Sequence, residues 1–371
     1  MSAQKYVEPT NQPNPARRAL LTGGAVGLAA IAGATLADAQ SASAGTSNLT
    51  YITPTGNPAT DTQAIQNALS NANQIVFLGP APGDSSGPAF AVNSTIEVGH
   101  KASIFGCGAL TRINYSGTGA CFHWHDLTSG DGSNRAANSC GAIRDLVIDG
   151  TNAGSSAYGI NMGDGWGYRL DHVFIENFTG TNSIGLYLNN QNYFTEKLVA
   201  TAVTVRNCTT HVRLTQGSGD NSFEYNDLAF YLAAQPGQDG FVIDSGAYMA
   251  GGSLFIRGNF YTASTAMTSA VLRVGNSGTQ GDTSNINSCL LDVVVESNLG
   301  NTNAPYTVYF GNGTGGNNYI KNCTGFLAFR DTPWRLSNVT TGQFTFTGIC
   351  YGDTKLASAA QLPAGWVPPG T

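Results

Sequence analysis

The chain is predicted to form an all-β solenoid, one polypeptide wound into stacked coils behind a short N-terminal capping helix. Three observations predict it. Two series of short apolar-polar-apolar segments recur about once per 25 to 30 residues between Ile143 and Phe310. β-Branched residues fill these segments, and Gly, Asn, Ser and Thr separate them, which is the composition of strands joined by turns. Only 11% of the 371 residues are charged while 41% are hydrophobic, so the core is ample and the polar surface must come from Asn, Ser, Thr and the 47 Gly. One such coil cannot bury its apolar face alone; stacking supplies the core.

Residues 1–39 read as an export signal. Arg17-Arg18 precedes an uncharged Gly/Ala-rich stretch from Ala19 to Leu36, and Ala37-Asp38-Ala39 offers a small-x-small cleavage site. The long polar start and mild hydrophobicity resemble a twin-arginine signal, with Ala16 where such signals usually carry Ser or Thr. A signal anchor is the alternative, because eighteen weakly apolar residues approach the length that spans a bilayer. No later run is long enough to span, so the mature protein is expected to be secreted or periplasmic, with no membrane contact once the signal is removed.

Taking Lys5, Arg17 and Arg18 from 17 bases, and Glu8 and Asp38 from 23 acids, leaves 14 against 21 and a net charge of −7. Nothing in that balance attracts nucleic acid or anionic lipid.

A linker is expected over residues 40–59, a β-helix domain over 60–350, and a Pro/Gly-containing tail over 351–371. At the domain's start, Thr60 or Asp61 can cap a helix in which Ile65, Ala68 and Leu69 share one face. Strands follow at Gln74 to Pro80, Ala91 to Val98 and Ala102 to Gly108, the last ending in a glycine turn. The helix is expected to cover the bare end of the first coil.

Seven cysteines, Cys107, Cys121, Cys140, Cys208, Cys289, Cys323 and Cys350, include no CxxC spacing. Cys323 and Cys350 stand 27 residues apart, one coil, and are expected to stack in the core as small apolar residues; export would also permit a disulfide.

The run of Asp61-Thr62 with Ala64-Ile65 and Ala68-Leu69, a Val76-Phe77-Leu78 strand ending in Pro80, then Thr95-Ile96 and Gly106-Cys107-Gly108, resembles the start of the pectate-lyase-like superfamily. The resemblance spans about Asp61 to Cys350. It implies a single-stranded, right-handed parallel β-helix, in a family that includes pectin-degrading enzymes, glycoside hydrolases and phage tail spikes. The polygalacturonase pattern of Asn-x-Asp, Asp-Asp, Gly-His-Gly and Arg-x-Lys is absent, so no catalytic residue carries over.

In-register coils place equivalent residues roughly 4.8 Å apart. The second series therefore yields an outward column of Asn161, Tyr187, Arg213, Val242, Arg273 and Tyr309, able to stack on sugar rings and pair with carboxylates, or to serve as an ordinary solvated face. The first yields Asp149, Glu176, Arg206, Tyr231, Arg257 and Glu296. Asp149 and Glu176 on adjacent coils repel unless a proton or cation intervenes, and near 5 Å they would suit a retaining glycosidase. Alternatively, Arg206 neutralises Glu176. Glu196, on a loop beside Tyr187 and Arg213, is a third catalytic candidate, with Glu224 and Asp227 behind it. His123 and His125 share a strand face as metal ligands could, but lack a third ligand, so neither a metal nor a cofactor is expected.

These features point to an exported protein that engages a polysaccharide along one face and cleaves it as hydrolase or lyase. The rival reading is a non-catalytic carbohydrate-binding or adhesive solenoid of tail-spike type. No feature indicates an oligomer. If Arg17-Arg18 directs export, changing both to Lys should trap the precursor in the cytoplasm, while the wild-type mature chain should begin near Gln40; unchanged secretion of the double-Lys variant refutes that route.

Overall fold

The computed structural model describes residues 49–353, apart from 71–73, 81–87, 100, 125–139, 218–221, 245, 262–268, 276–283, 297–305, 312–317, 334–335 and 338–343. The stretch read as an export signal, His125 and the end of the tail lie outside the described residues. What is described is a right-handed parallel β-helix.

Parallel pairing forces the coil. Strands adjacent in space are one circuit apart in sequence, since a parallel neighbour can be reached only by a long connection. A narrow sheet of nine strands runs from Ile96–Val98 through Gly119–Trp124, Ala157–Met162, Ile184–Asn190, Thr210–Gln216, Asp239–Ile243, Ala270–Val274 and Tyr306–Phe310 to Leu336–Ser337. A wide sheet of 17 strands supplies the rest of each coil. In it, short strands such as Thr195–Glu196, Phe223–Glu224, Tyr248–Ala250 and Asn285–Asn287 precede long ones such as Val199–Arg206, Asp227–Ala234, Ser253–Phe260 and Leu290–Glu296.

A corner of two residues separates short from long strand. Its first residue is in the left-handed region in five successive coils: Lys197, Tyr225, Gly251, Ser288 and Asn322, with φ between 53° and 64°. The second points inward as Leu198, Asn226, Gly252, Cys289 and Cys323. Asn226 fits there because its carboxamide accepts from the Leu198 N–H (2.8 Å) and donates to the Thr195 carbonyl (3.1 Å). Gly252 is required, since a Cβ would lie 2.2 Å from the Asn226 carbonyl oxygen.

The core is built of columns. Ile160, Leu186, Val212, Phe241, Leu272 and Val308 form one row of the narrow sheet, and Met162, Leu188, Leu214, Ile243, Val274 and Phe310 the next, each at most 1% exposed. Ile148, Ile175 and Val205 point inward from the wide sheet as their alternation predicts. Each such side chain contributes about 1.5–3 kcal/mol on burial.

The helix, α1, spans Pro58–Leu69 and is capped by Asn57, not by Thr60 or Asp61. Asn57 accepts from the Ala59 and Thr60 N–H groups, and Pro58 takes the first helical position, where no N–H is needed. Asp61 is instead a buried brace that accepts from Thr55, Gly56 and Ala91. Gln66 covers the sheet edge by pairing with both backbone groups of Glu97, at 2.8 and 3.2 Å, as another strand would. The ladder also begins earlier than expected, because Leu49–Ile52, within the stretch read as linker, pairs with Ile75–Leu78.

Two register expectations need correction. Beyond Arg206 the Asp149–Glu176 column continues through Ala233, Asn259 and Glu296, so Tyr231 and Arg257 lie one row away, level with Phe174 and Thr204. A slip of two residues preserves inside and outside and is invisible to the apolar pattern. Cys350 pairs with Leu327 and Cys323 with Phe346, because this coil takes 23 residues from Thr324 to Thr347; Cys323 stacks instead on Cys289, both as free thiols.

Gly258 tests the close stacking. Its φ is 154°, and a Cβ there would lie 1.8 Å from the Leu232 carbonyl oxygen, backbone that cannot move without breaking the ladder. Gly258→Ala should cost more than about 3 kcal/mol, read as a fall in the urea midpoint at unchanged slope.

Candidate functional site

The outward column of the narrow sheet is in unbroken register. Glu97, His123, Asn161, Tyr187, Arg213, Val242, Arg273, Tyr309 and Ser337 stand one above another, each one coil from the next. The structure thus brings together all five sequence-predicted binding residues. Tyr158 packs against Tyr187 and Tyr306 against Tyr309, with centroids 5.0 and 5.3 Å apart, so each tyrosine of the column has a second tyrosine beside it. Burial, and then Tyr187, raises the Tyr158 phenol above its ordinary pKa, with Arg213 opposing. Thr215 lies within hydrogen-bond distance of both Tyr187 and Asn189.

The two arginines of the column are ion-paired. Arg213 binds the buried carboxylate of Asp244, and Arg273 binds Asp239 at 2.9 Å while its guanidinium lies 4.5 Å from the Tyr309 ring centroid. Asp239 and Asp244 escaped sequence reasoning because each follows or precedes its strand's apolar run and reaches across a coil. His123 faces Glu97 at 2.8 Å.

Asp149 and Glu176 are adjacent in register, as expected, but an arginine from a third coil joins them. Arg112 lies 2.5 Å from Asp149 and 2.6 Å from Glu176, and Arg206 binds the other oxygen of Glu176. Glu176 is 2% exposed, so both its oxygens are committed to guanidinium donors away from solvent. Asp149 also accepts from Thr151 and Asn177. Burial acts to raise its pKa, but the hydrogen bonds from Thr151, Asn177 and Arg112 prevail and hold it below 3.8. A lowered carboxyl does not suit the proton-donating half of a glycosidase pair. Arg112 was missed because it pairs with Val147, two residues before Asp149, in a short strand far upstream.

Glu196 sits on a strand, not on a loop. The buried Asn190 carboxamide accepts from the Thr195 hydroxyl (2.6 Å) and donates to the Ser222 carbonyl, and Asp164 accepts from three successive N–H groups, Gln191 to Tyr193, to fix the turn before it. This framework aligns Glu196 with Glu224, so two half-buried carboxylates occupy adjacent coils just before the corner. Ser222 donates to Glu224 at 2.9 Å. Trp166 bridges to Glu196 from the preceding coil, with the Lys197 ammonium 4.7 Å from its ring centroid, and Tyr225, 58% exposed, follows Glu224. The spacing of 28 residues between Glu196 and Glu224 is the signal that could have paired them. Asp227 is exposed and accepts from Ser253.

No family model and no curated protein matches the chain. Among solved structures it is similar to the GH87 α-1,3-glucanase catalytic domain bound to nigerose (15% identity, TM-score 0.41, 83% of this chain and 58% of that one). It is also similar to the Azotobacter vinelandii mannuronan C-5 epimerase AlgE6 A-module (15%, 0.37, 80% and 93%) and to ORF18 of Geobacillus virus E2 (14%, 0.35, 82% and 61%). The chain therefore spans less than two thirds of the glucanase and of the viral protein. Likeness of this order assigns it no activity.

The ion pairs generate a prediction about stability. A carboxyl whose folded pKa is depressed contributes above its unfolded pKa, and that contribution is lost as pH falls through the folded value. The melting temperature should therefore fall as pH drops below about 3.8, and Asp149→Asn, costing about 1–2 kcal/mol at pH 7, should cost progressively less as the pH falls below that value. Glu176→Gln should cost more, about 2–3 kcal/mol at pH 7, because it removes the buried charge that Arg112 and Arg206 share, the partial solvation of both guanidinium groups limiting the loss.

Proposed function

We propose that this protein, once exported, binds a polysaccharide along the outer face of the narrow sheet and cleaves it. The observation that carries the reading is the unbroken column of Asn161, Tyr187, Arg213, Arg273 and Tyr309, in which Val242 is buried and each tyrosine is paired with a second one, Tyr158 or Tyr306. A polymer with a regular repeat is matched by a surface with a regular repeat, and aromatic faces with amide and hydroxyl groups between them suit sugar rings.

Cleavage we associate with Glu196 and Glu224, which belong to the wide sheet, on the short strands that follow the narrow-sheet strands Ile184–Asn190 and Thr210–Gln216 in the chain. They lie one ladder step apart, roughly 4.8 Å between backbones, a separation compatible with a nucleophile and an acid/base. The Asp149–Glu176 pair has the same spacing, but its oxygens are occupied by Arg112, Arg206, Thr151 and Asn177, which supports a structural role. A non-catalytic, adhesive role is the second reading, favoured by the extent to which polar groups on this surface are already satisfied within the protein.

Glu196→Gln and Glu224→Gln should each reduce reducing-end release at least about 100-fold with binding and melting temperature unchanged, whereas Tyr187→Ala should weaken binding. Loss of turnover in Asp149→Asn with full stability would move the chemistry to that pair. A wild type that binds glycans without cleaving any would establish the adhesive role.

A further inference from the structure

The charge arrangement of the narrow-sheet face speaks to the class of glycan. The face carries Arg213, Arg273 and His123 as its described cationic or potentially cationic groups, against Glu97, Asp239 and Asp244 as its carboxylates. Each arginine is spent on an aspartate of its own protein. Asp244 is nearly inaccessible (side chain 3% exposed), and the Arg273 side chain is itself 13% exposed, its guanidinium held between Asp239 and the Tyr309 ring. An incoming carboxylate would meet a guanidinium already neutralised by an intramolecular carboxylate and would have to stand beside that like charge, which at the buried Asp244 cannot withdraw into solvent.

Most described arginines of the wide sheet are paired in the same way, Arg169 being an exposed one for which no ion pair is seen. Arg112 and Arg206 are paired with Asp149 and Glu176, Arg144 with Asp171, and Arg257 with Asp292. Lys197 and Lys321 lie over the rings of Trp166 and Tyr319, beside Glu196 and Glu224 in the first case. The whole chain carries a net charge of −6, so its long-range field repels polyanions.

We infer that the ligand of this face is an uncharged polysaccharide, held by the tyrosine pairs and by amide and hydroxyl groups, and that polyuronates and sulfated glycans are excluded. This rests on the polysaccharide reading above. It sets aside the expectation that the column's arginines pair with sugar carboxylates; their work is to neutralise Asp239 and Asp244 and to stiffen the face.

Polygalacturonate and its full methyl ester, together with a neutral glucan and a sulfated glycan, provide the test, because the first two differ in charge and little else. Binding should be confined to uncharged polymers and should not change from low to high salt, since no counterion is displaced. Asp239→Asn keeps an acceptor for the Ala270 N–H but releases Arg273, and should raise affinity for polyanionic glycans about tenfold or create it where there was none. Binding of polygalacturonate equal to or tighter than that of its ester, or salt-sensitive binding to polyanions alone, overturns the inference and leaves the polysaccharide reading in place. An Asp239→Asn variant without any gain overturns the neutralisation argument. Absence of binding to both neutral and anionic glycans overturns both readings.

Discussion

In-register parallel stacking is the constraint on which the rest of this structure depends. Every outward side chain stands about 4.8 Å from its counterparts above and below, so a residue is judged against its column rather than against its sequence neighbours. Inward, the rule is easily met by Ile, Val, Leu and Phe. Outward, it turns any two like charges on successive coils into a repulsion that must be relieved. The sequence relieves it with alternation across coils: Arg112 between Asp149 and Glu176, Arg206 beyond them, Arg144 against Asp171, Arg257 against Asp292. A chain only 11% charged can satisfy such a rule almost completely, and this one uses its few arginines for that purpose.

The same constraint explains what could be read from the residues and what could not. The period, the inward rows and the narrow-sheet column were legible because they depend on a side chain's parity along a strand, which alternation displays directly. Cap identity and coil length were not. Asn57 outcompetes Thr60 through Pro58, a local preference that the apolar pattern does not contain, and the shift of Tyr231 and Arg257 is a displacement of two residues to which parity is blind. The partners of the charged groups were hidden for a different reason. Arg112, Asp239 and Asp244 act from a neighbouring coil, at sequence separations of 31 to 64 residues from the groups they bind, and nothing in a single sequence marks those distances as contacts.

The corner between short and long strands shows how stability and a possible site share one device. A left-handed residue followed by an inward one lets the chain turn without a loop, and the inward place accepts whatever fills the space: Leu198, the hydrogen-bonded Asn226, Gly252, or the thiols of Cys289 and Cys323. Because the turn needs only two residues, the residues just before it are held by the sheet and not by a flexible segment. Glu196 and Glu224 are such residues. Their alignment is paid for by the buried Asn190 and Asp164 beneath the preceding turn, and it is therefore as rigid as the core.

Two carboxylate pairs of equal spacing thus differ by what surrounds them. At Asp149 and Glu176 the repulsion is cancelled by guanidinium groups within the coil stack, so the pair adds to stability and has little left to offer a substrate. At Glu196 and Glu224 no arginine intervenes in the register, and the neighbouring charge, Lys197, lies over Trp166. The column there reads Trp166, Glu196, Glu224 and Ala250, so an aromatic and a small residue flank these two acids where guanidinium groups flank the other pair. A retaining glycosidase needs two carboxylates at about this separation beside a surface on which a sugar ring can rest, a demand that an aromatic neighbour meets and a guanidinium-filled cluster does not.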